Sequence, residues 1–311
     1  MSSTIKFLSK FDYKVVRVLA NKDNSHASLS IVVLVHKNGK HYAAKVFAIS
    51  QKDHEEALQY EALVYRHLKN FPTLQRNTIA YAEYITAEPD LCPSELDDGT
   101  VLKVAAIITT YTLNTITFQH LLDGPLNDDL LRPILFQLIF VIATLSANNI
   151  QHNDLRPLNI LLANTWSHTI DRNYTFNALN FRLPACLRVL IFDWDLAEAG
   201  APMINNPILA NPANGYTKFG IFPNQINSRL DIYRLLRTLE LYELTSLPET
   251  NCFMKNVMGG LRNTRLRAPD LIDESGFACH PQGIPYSCDE PGIIMPAAEI
   301  LLDPYFFKFR R

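Results

Sequence analysis

The stretch HNDLRPLNILL, residues 152–162, decides how the chain is interpreted. It lies between a predicted helix and a predicted short strand, so it is expected to form a loop. Asp154 and Asn159 are five residues apart, which allows both side chains to face one pocket. There the aspartate would accept the proton of a hydroxyl nucleophile and the asparagine would hold a divalent metal ion. Arg156 would add a cation where transferring phosphoryl oxygens need charge stabilisation. The alternative for this segment alone is a capped turn with a solvated aspartate and arginine.

A second motif, VLIFDWDLA at residues 189–197, is an apolar strand that ends in Asp193, 39 residues after Asp154. A single carboxylate at a strand end is a weak signal, but the two segments in this order resemble the HRDLKxxN catalytic loop and the DFG segment of eukaryotic protein kinases. The resemblance implies a kinase-type phosphotransferase with Asp154 and Arg156 in the catalytic loop. It also implies that Asn159 and Asp193 bind Mg²⁺, and that ATP is the phosphoryl donor.

A third motif, HYAAKV at residues 41–46, places Lys45 in a predicted strand, on the same face as Ala43 and Phe47. A lysine on a buried face needs an anionic partner, whereas an edge-strand lysine would lie in water. Lys45 resembles the VAIK lysine of kinases, which holds the α- and β-phosphates of ATP.

The partner of Lys45 is predicted from helical periodicity. Glu61 falls on the apolar stripe of the helix that follows, together with Val64 and Leu68. A glutamate on an inward stripe is expected to be paired, and kinases pair this glutamate with the lysine. Glu55 and Glu56, in contrast, are expected to be solvated acids of the first helical turn.

The expected nucleotide-binding residues depart from the kinase pattern. The resemblance aligns Ser25, Ala27 and Ser30 with the three glycines of the phosphate-covering loop, where a side chain hinders the approach of the backbone to phosphate. It also implies that Thr109 is the gatekeeper and that the segment from Thr110 to Thr112 contacts adenine. ATP handling is therefore expected to be unconventional.

Other departures concern regulation and substrate docking. Asp195 replaces the glycine of the DFG segment, and Asn153 replaces the arginine that commonly binds a phosphorylated activation loop. Activation by loop phosphorylation is therefore not expected. No APE sequence precedes Asp231, and Met295 stands where kinases often carry the arginine that pairs with its glutamate.

The resemblance extends from about residue 11 to residue 306. The segment SRLDIYRL, residues 228–235, resembles the start of the kinase helix whose buried aspartate, here Asp231, binds the backbone of the catalytic loop. The segment PAAEILLDPYF, residues 296–306, resembles the last kinase helix. An α+β fold is therefore expected, as one kinase-like domain over residues 11–311, with a small β-rich N-lobe (11–112) and a larger, mainly helical C-lobe (113–311).

Hydrophobic patterning predicts the elements of this fold. Strands are expected at residues 15–19, 30–36, 40–49, 79–87, 102–110, 150, 160–162 and 187–192. Helices are expected at residues 50–70, 128–148, 228–244 and 297–302. A surface loop is expected at residues 88–99, an irregular inserted loop at 164–184, and no clear periodicity at 197–227.

Composition indicates an intracellular globular protein. The chain has 311 residues, of which 48% are hydrophobic and 19% charged, and its net charge of −2 offers no electrostatic footprint for nucleic acid or an anionic membrane. The most apolar run, residues 134–145, is shorter than the ~20 residues of a membrane span. The five cysteines form no CxxC pair and indicate free thiols; the cluster of Cys279, His280 and Cys288 matches no standard zinc spacing.

The expected protein is a monomer in the cytoplasm or nucleus that binds a protein substrate, with no nucleic-acid or membrane partner. Its divergent motifs resemble kinases of large DNA viruses or of fungal and mobile-element lineages, and a viral origin would place it in the host cell. The leading interpretation is an active protein kinase directed at serine or threonine. The alternatives are a pseudokinase scaffold, because the phosphate loop lacks glycine, and a small-molecule kinase of the aminoglycoside or choline type, which also carries an HxDxxxxN segment.

Overall fold

A computed structural model describes most of the chain and divides it into two compact units. The residues described are 2–22, 30–50, 52–88, 101–164, 170–185, 187–200, 205–211, 221, 226, 229–240, 242, 244–258, 271–272, 278–279 and 295–311. The first unit comprises Met1–Phe71 and Ile79–Leu113, and the second comprises Pro72–Thr78 and Asn114–Arg311.

The first unit is built on an antiparallel sheet of five strands in the order β1-β2-β3-β5-β4. Its elements are α1 (Ser2–Ser9), β1 (Lys14–Lys22), β2 (Ser30–Lys37), β3 (Lys40–Ile49), α2 (Lys52–Leu68), β4 (Tyr81–Ala87) and β5 (Lys103–Thr110). The strands expected at 30–36 and 40–49 form a hairpin, β2–β3: Lys37 pairs with Lys40, and both loop residues, Asn38 and Gly39, have positive φ. That loop conformation matches the twist of the two strands.

The core of the first unit includes a helix that the sequence pattern does not predict. Phe7 and Leu8 of α1 are fully buried and belong to the same hydrophobic cluster as Val33, Val46 and Ala106 of the sheet. Helix α1 is short, and its apolar positions are too few to give a clear period, so only its packing on the sheet reveals it.

The second unit contains the longest helix and most of the shorter elements. Its helices are α3 (Pro72–Gln75), α4 (Phe118–Leu122), α5 (Asp128–Ala147), α6 (Pro207–Ala210), α7 (Leu230–Glu240), α8 (Pro248–Met258) and α9 (Ala297–Ile300). Its strands are β6 (Thr115–Thr117), β7 (Ile150–Gln151), β8 (Ile160–Asn164), β9 (Ile170–Phe176), β10 (Leu179–Ala185), β11 (Leu187–Ile191), β12 (Glu198–Ala199), β13 (Leu271–Ile272) and β14 (Ala278–Cys279). Turns of 3₁₀ helix occupy Pro157–Asn159, Leu244–Ser246 and Pro304–Phe309. The predicted α+β class is confirmed: an antiparallel sheet in the N-terminal region is followed by a helical part.

Helix α5 is the central helix of the second unit. Its N-cap, Asn127, accepts a hydrogen bond from the amide of Leu130 at 2.8 Å, and residues along its whole length are buried. Among the described residues, it is the one helix that length and composition would allow to cross a membrane. In the structure, 78% of its most apolar window is buried, as in the core helix of a globular unit.

The segment expected to be an irregular loop, residues 164–184, is instead mostly an antiparallel hairpin of β9 and β10. Tyr174 and Phe176 on one strand and Phe181 and Leu183 on the other alternate with exposed polar residues, and all four are buried. The ring of Phe181 lies 5.0 Å from that of Phe136 in α5. The alternation is short and lies among polar residues, which is why composition alone suggested a loop.

Candidate active site

The catalytic-loop residues predicted from the sequence lie together in the second unit. Between β7 and β8 the backbone turns at Asn153, whose φ of 65° is in the left-handed region that asparagine tolerates well. The Nδ2 group of Asn159 donates hydrogen bonds to the backbone oxygen of Asp154 at 3.0 Å and to its Oδ2 at 2.7 Å. Arg156 Nε lies 3.1 Å from the same Oδ2 atom. Asp154, Arg156 and Asn159 thus form one connected polar group, as their spacing in the sequence predicts.

This arrangement leaves one carboxylate oxygen of Asp154 available for chemistry. Oδ2 is occupied by Asn159 and Arg156, whereas no residue in the described part of the chain donates to Oδ1. The side chain of Asp154 is 21% exposed, so a solute can reach it. Oδ1 is therefore the atom that can accept the proton of a hydroxyl nucleophile.

Asp231, at the start of α7, binds the backbone of this loop. Its Oδ2 accepts the amide hydrogen of His152 at 2.8 Å, and its Oδ1 accepts that of Asn153 at 2.9 Å. Burial raises the pKa of the Asp231 carboxyl, and His152 and the two amides oppose that rise. Arg234, one turn later on α7, donates to the backbone oxygen of Asn153. These are the contacts that the kinase resemblance implies for Asp231.

Asp193 follows β11, which pairs with β8 in an antiparallel register that sets Ile191 opposite Ile160. Its φ is 70° and it is 7% exposed. The amide of Phe192 donates to the backbone oxygen of Asn159 at 3.2 Å. This bond connects the segments that carry the two predicted metal residues, one residue away from Asp193.

The oxygen donors of these two residues fit a magnesium ion. The Nδ2 group of Asn159 donates to Asp154, and no described residue donates to the Oδ1 atom of Asn159. Magnesium prefers oxygen ligands and is usually bound by one or two carboxylates with substrate phosphates. An amide oxygen and the carboxylate of Asp193 belong to that class of ligand.

The segment after Asp193 is held by two asparagines. Asn153 Nδ2 donates to the backbone oxygen of Leu196 at 2.9 Å. Asn206, which is fully buried, donates from Nδ2 to the oxygens of Asp195 and Ala197, both at 2.8 Å, and its Oδ1 caps α6. Sequence reasoning missed Asn206; the available signal was an asparagine directly before Pro207, a typical start of a helix.

Asp195 occupies its position without backbone strain. It stands where the DFG segment has glycine, but it is not among the described residues with positive φ. The left-handed residue of this turn is Asp193. A glycine is therefore not required at position 195.

In the first unit the structure brings Lys45 and Glu61 together. Lys45 Nζ lies 3.8 Å from Glu61 Oε2, and the side chains are 18% and 2% exposed. Strand β3 sets Lys45 between Val32 and Ile107 of the neighbouring strands, and its ammonium group lies 5.1 Å from the ring centre of Phe47. The periodicity of α2 thus selected a glutamate that does face the lysine.

One expectation about α2 is wrong. Glu55 is not a solvated acid of the first turn: both of its carboxylate oxygens lie 3.0 Å from Lys103 Nζ, and its side chain is only 20% exposed. Lys103 begins β5, the strand next to β3. The position of Glu55 on α2 lets it reach across to that strand, which helical periodicity alone does not reveal.

The structure describes some of the expected nucleotide-binding residues but not all of them. Ser25 and Ala27 lie outside the described residues. Ser30 begins β2 opposite Phe47 and is 2% exposed. Thr109, the expected gatekeeper, is buried at the end of β5.

The two predicted adenine contacts lie at and just after the end of β5. Thr110 is exposed, and its amide donates to the backbone oxygen of Ala80 at 2.8 Å. That amide is therefore already used within the unit. Thr112 is half-buried. Of the zinc cluster considered above, His280 and Cys288 lie outside the described residues, as do most of residues 88–99 and 197–227.

No protein-family model matches the chain, and no curated protein matches it. Among solved structures, the crystal structure of the PF14_0431 kinase domain matches 61% of this chain with 15% sequence identity and a TM-score of 0.42. The match covers 52% of that kinase-domain chain, so this chain spans about half of its length. The function proposed below therefore rests on the geometry of the residues themselves.

Proposed function

We propose that this chain is an ATP- and magnesium-dependent protein kinase that transfers the γ-phosphoryl group of ATP to a serine or threonine hydroxyl of a protein. The observation that carries the proposal is the polar group of Asp154, Arg156 and Asn159, in a loop whose backbone amides are bound by Asp231. A solvated turn would not need a buried aspartate to bind two consecutive backbone amides, so this geometry favours a catalytic loop over the capped-turn alternative.

In the second unit, Asp154 Oδ1 orients the acceptor hydroxyl and takes its proton as the hydroxyl oxygen bonds to the γ-phosphorus. The bond from that phosphorus to the oxygen bridging the β- and γ-phosphates breaks, and ADP leaves. Asn159 Oδ1 and the Asp193 carboxylate would hold the magnesium ion. When bound, that ion neutralises charge on the phosphate oxygens. Arg156 offsets the charge of Asp154 and of the transferring group.

In the first unit, Lys45 is the proposed partner of the α- and β-phosphates, and Glu61 holds its ammonium group in place. A protein acceptor, a monomeric state and an intracellular location are part of the same proposal. The support for serine and threonine is the overall kinase resemblance. Arg156 stands where such kinases usually carry lysine, so tyrosine is the acceptor to be tested against them.

The test is transfer of labelled phosphate from ATP and magnesium to casein and to myelin basic protein, followed by phosphoamino-acid analysis. We expect phosphoserine or phosphothreonine, and a loss of about 10²- to 10⁴-fold in kcat for Asp154→Asn, the range typical of a general base. Asp129→Asn is the matched control, because Asp129 is an exposed aspartate at the start of α5 whose side chain is 88% exposed.

Three results would contradict the proposal in different ways. Phosphotyrosine as the product would correct the acceptor class. Turnover only with an aminoglycoside or a choline-like acceptor would indicate a small-molecule kinase. No transfer, together with no shift in thermal unfolding on addition of nucleotide, would indicate a scaffold.

A further inference from the structure

Three separate segments of the second unit meet at one buried atom, Oε1 of Gln137 in α5. Asn77 Nδ2, after α3, donates to it at 3.3 Å; the hydroxyl of Tyr174, on β9, at 3.2 Å; and the amide of Val189, on β11, at 3.1 Å. Gln137 is fully buried, and its Nε2 donates to the backbone oxygen of Leu187 at 3.0 Å. This hydrogen-bonded centre fixes the three segments relative to one another.

Each of the three segments carries an arginine close to this centre. Arg76 precedes Asn77, Arg188 precedes Val189, and Arg172 lies two residues before Tyr174 on the same face of β9. Arg76 Nη1 donates to the backbone oxygen of Asn173, which directly follows Arg172, at 3.3 Å. We call these three residues, Arg76, Arg172 and Arg188, the arginine cluster.

Two members of the cluster, Arg172 and Arg188, affect each other's charge, and Arg76 and Arg172 both act on Tyr174. Burial and, after it, the charge of Arg172 lower the pKa of Arg188. Burial raises the pKa of Tyr174, and the charges of Arg172 and Arg76 oppose that rise. Both effects agree with the close placement that the hydrogen bonds at Gln137 impose.

None of the three arginines forms an ion pair with a side chain that the structure describes, although other arginines such as Arg132 and Arg237 do have one. Arg172 Nη1 and Arg188 Nε are buried and have no hydrogen-bond partner. Buried donors are normally satisfied, so these two call for an acceptor.

The cluster is also open to solvent. Arg76 is exposed, and Arg172 and Arg188 are half-buried, so part of each side chain is accessible to solvent. A planar guanidinium group presents paired N–H donors that match the oxygens of a phosphate group. Three guanidinium groups together suit an anion with two negative charges better than a carboxylate ligand, which carries one.

We propose that Arg76, Arg172 and Arg188 form a binding site for a phosphate-type oxyanion, supplied as free phosphate or as a phosphorylated side chain. The site is separate from the catalytic loop. Arg188 lies opposite Ala163 near the start of β11, whereas the opposite end of β11, at Ile191, lies beside Ile160 and leads to Asp193. The proposal does not depend on the proposed kinase activity.

The experiment is thermal unfolding of the full chain in sodium phosphate against sodium chloride at matched ionic strength. We expect phosphate to raise the unfolding temperature of the wild type in a saturable way and chloride to have no such effect. Arg188→Gln should lose this rise. In the absence of phosphate, the same variant should unfold no earlier than the wild type, because one of several like charges has been removed. Arg76→Gln, at an exposed position, is a second variant that is safe for folding.

Arg182→Gln is the matched control, because Arg182 is an exposed arginine on the opposite face of the same hairpin. It should keep the full response to phosphate. The proposal is overturned if Arg188→Gln and Arg76→Gln respond to phosphate as the wild type does, or if Arg182→Gln loses the response equally. Titration with N-acetyl-phosphoserine amide identifies the source: tighter half-saturation than for orthophosphate indicates a phosphorylated side chain, and equal or weaker half-saturation indicates free phosphate.

Discussion

At the scale of single residues, the two ion pairs between α2 and the sheet differ in their access to water. Lys45 and Glu61 are 18% and 2% exposed, whereas Lys103 and Glu55 are 44% and 20% exposed. When its partner is removed, a buried charge stays without water and destabilises the folded state. A charge near the surface is hydrated again, and the loss is small. The two pairs should therefore respond differently to the same substitution.

We expect Lys45→Met to lower the free energy of unfolding by about 3–5 kcal/mol, because the buried carboxylate of Glu61 loses its lysine. Lys103→Met, the matched control, should cost less than about 1 kcal/mol. The double variant Lys45→Met/Glu61→Leu should recover most of the loss. Urea unfolding measures all three. Equal losses for the two lysine variants would show that Glu61 remains hydrated.

The contribution of Tyr305 to the stability of the fold should depend on pH. Its hydroxyl lies 2.7 Å from that of Thr250, its ring stacks on Phe253 at 4.5 Å, and burial raises its pKa to about 12. In the unfolded chain a tyrosine ionises near pH ~10. The unfolded state thus loses its proton first, so this contribution to stability is fully present below pH ~10 and is lost as the pH rises toward about 12.

We expect the stability of the wild type relative to Tyr305→Phe to fall between pH ~10 and about 12, by up to about 1.4 kcal/mol per pH unit. Urea unfolding of both proteins at pH 8 and across this interval measures the difference. Other tyrosines ionise in both proteins, and their effect cancels in the comparison. A constant difference across the interval would mean that Tyr305 ionises as readily in the folded state as in the unfolded chain.

At the scale of elements, the sequence predicted contacts between residues that are close together in the chain. Asp154, Arg156 and Asn159 lie within one short turn, so their spacing was enough to predict that they meet. Asn206 contacts backbone atoms nine and eleven residues earlier, and no period of 2 or 3.6 marks such a contact. The hairpin of β9 and β10 was missed because its alternation is short and lies among polar residues, and because its packing on α5 joins residues far apart in sequence.

Asn206 should act as a positioning residue for the segment that follows Asp193. Asn206→Asp keeps an oxygen to cap α6 but replaces the two N–H bonds with an oxygen that faces the carbonyls of Asp195 and Ala197. We expect the segment to loosen and Trp194, which is fully buried, to become accessible. In a Trp166→Phe background Trp194 is the only tryptophan, and its emission should shift to the red and its acrylamide quenching should increase.

The matched control is Asn127→Asp, at the N-cap of α5. There the side-chain oxygen makes the capping contact, and an aspartate preserves it. Its Trp194 emission should equal that of the parent. Unchanged emission in Asn206→Asp would show that the segment is held without the asparagine. Because the measurement needs no turnover, its result is independent of whether the chain is a kinase.

At the scale of the whole molecule, the chain has two units, each with its own buried aromatic residues. Phe7 of α1 is fully buried in the core of the sheet unit. Phe306 is fully buried in the second unit, with its ring 5.5 Å from Phe136 and 5.2 Å from Phe253. The sequence predicted the order of these parts from the change in periodicity, but it gave no sign that residues 72–78 belong to the second unit. That assignment depends on contacts far apart in sequence, such as Asn77 with Gln137.

If each unit unfolds as a cooperative body, a cavity in one should affect hydrogen exchange in that unit alone. Phe7→Ala and Phe306→Ala should each lower local stability by about 3–5 kcal/mol. Hydrogen exchange followed by mass spectrometry should show faster exchange in β2 to β5 for the first variant, and in α5 and α8 for the second. Phe307→Ala, whose side chain is 52% exposed, is the control and should leave both patterns unchanged. Faster exchange throughout the chain in both core variants would mean that the two units unfold together, because a cavity then destabilises the single folded state on which all the amides depend.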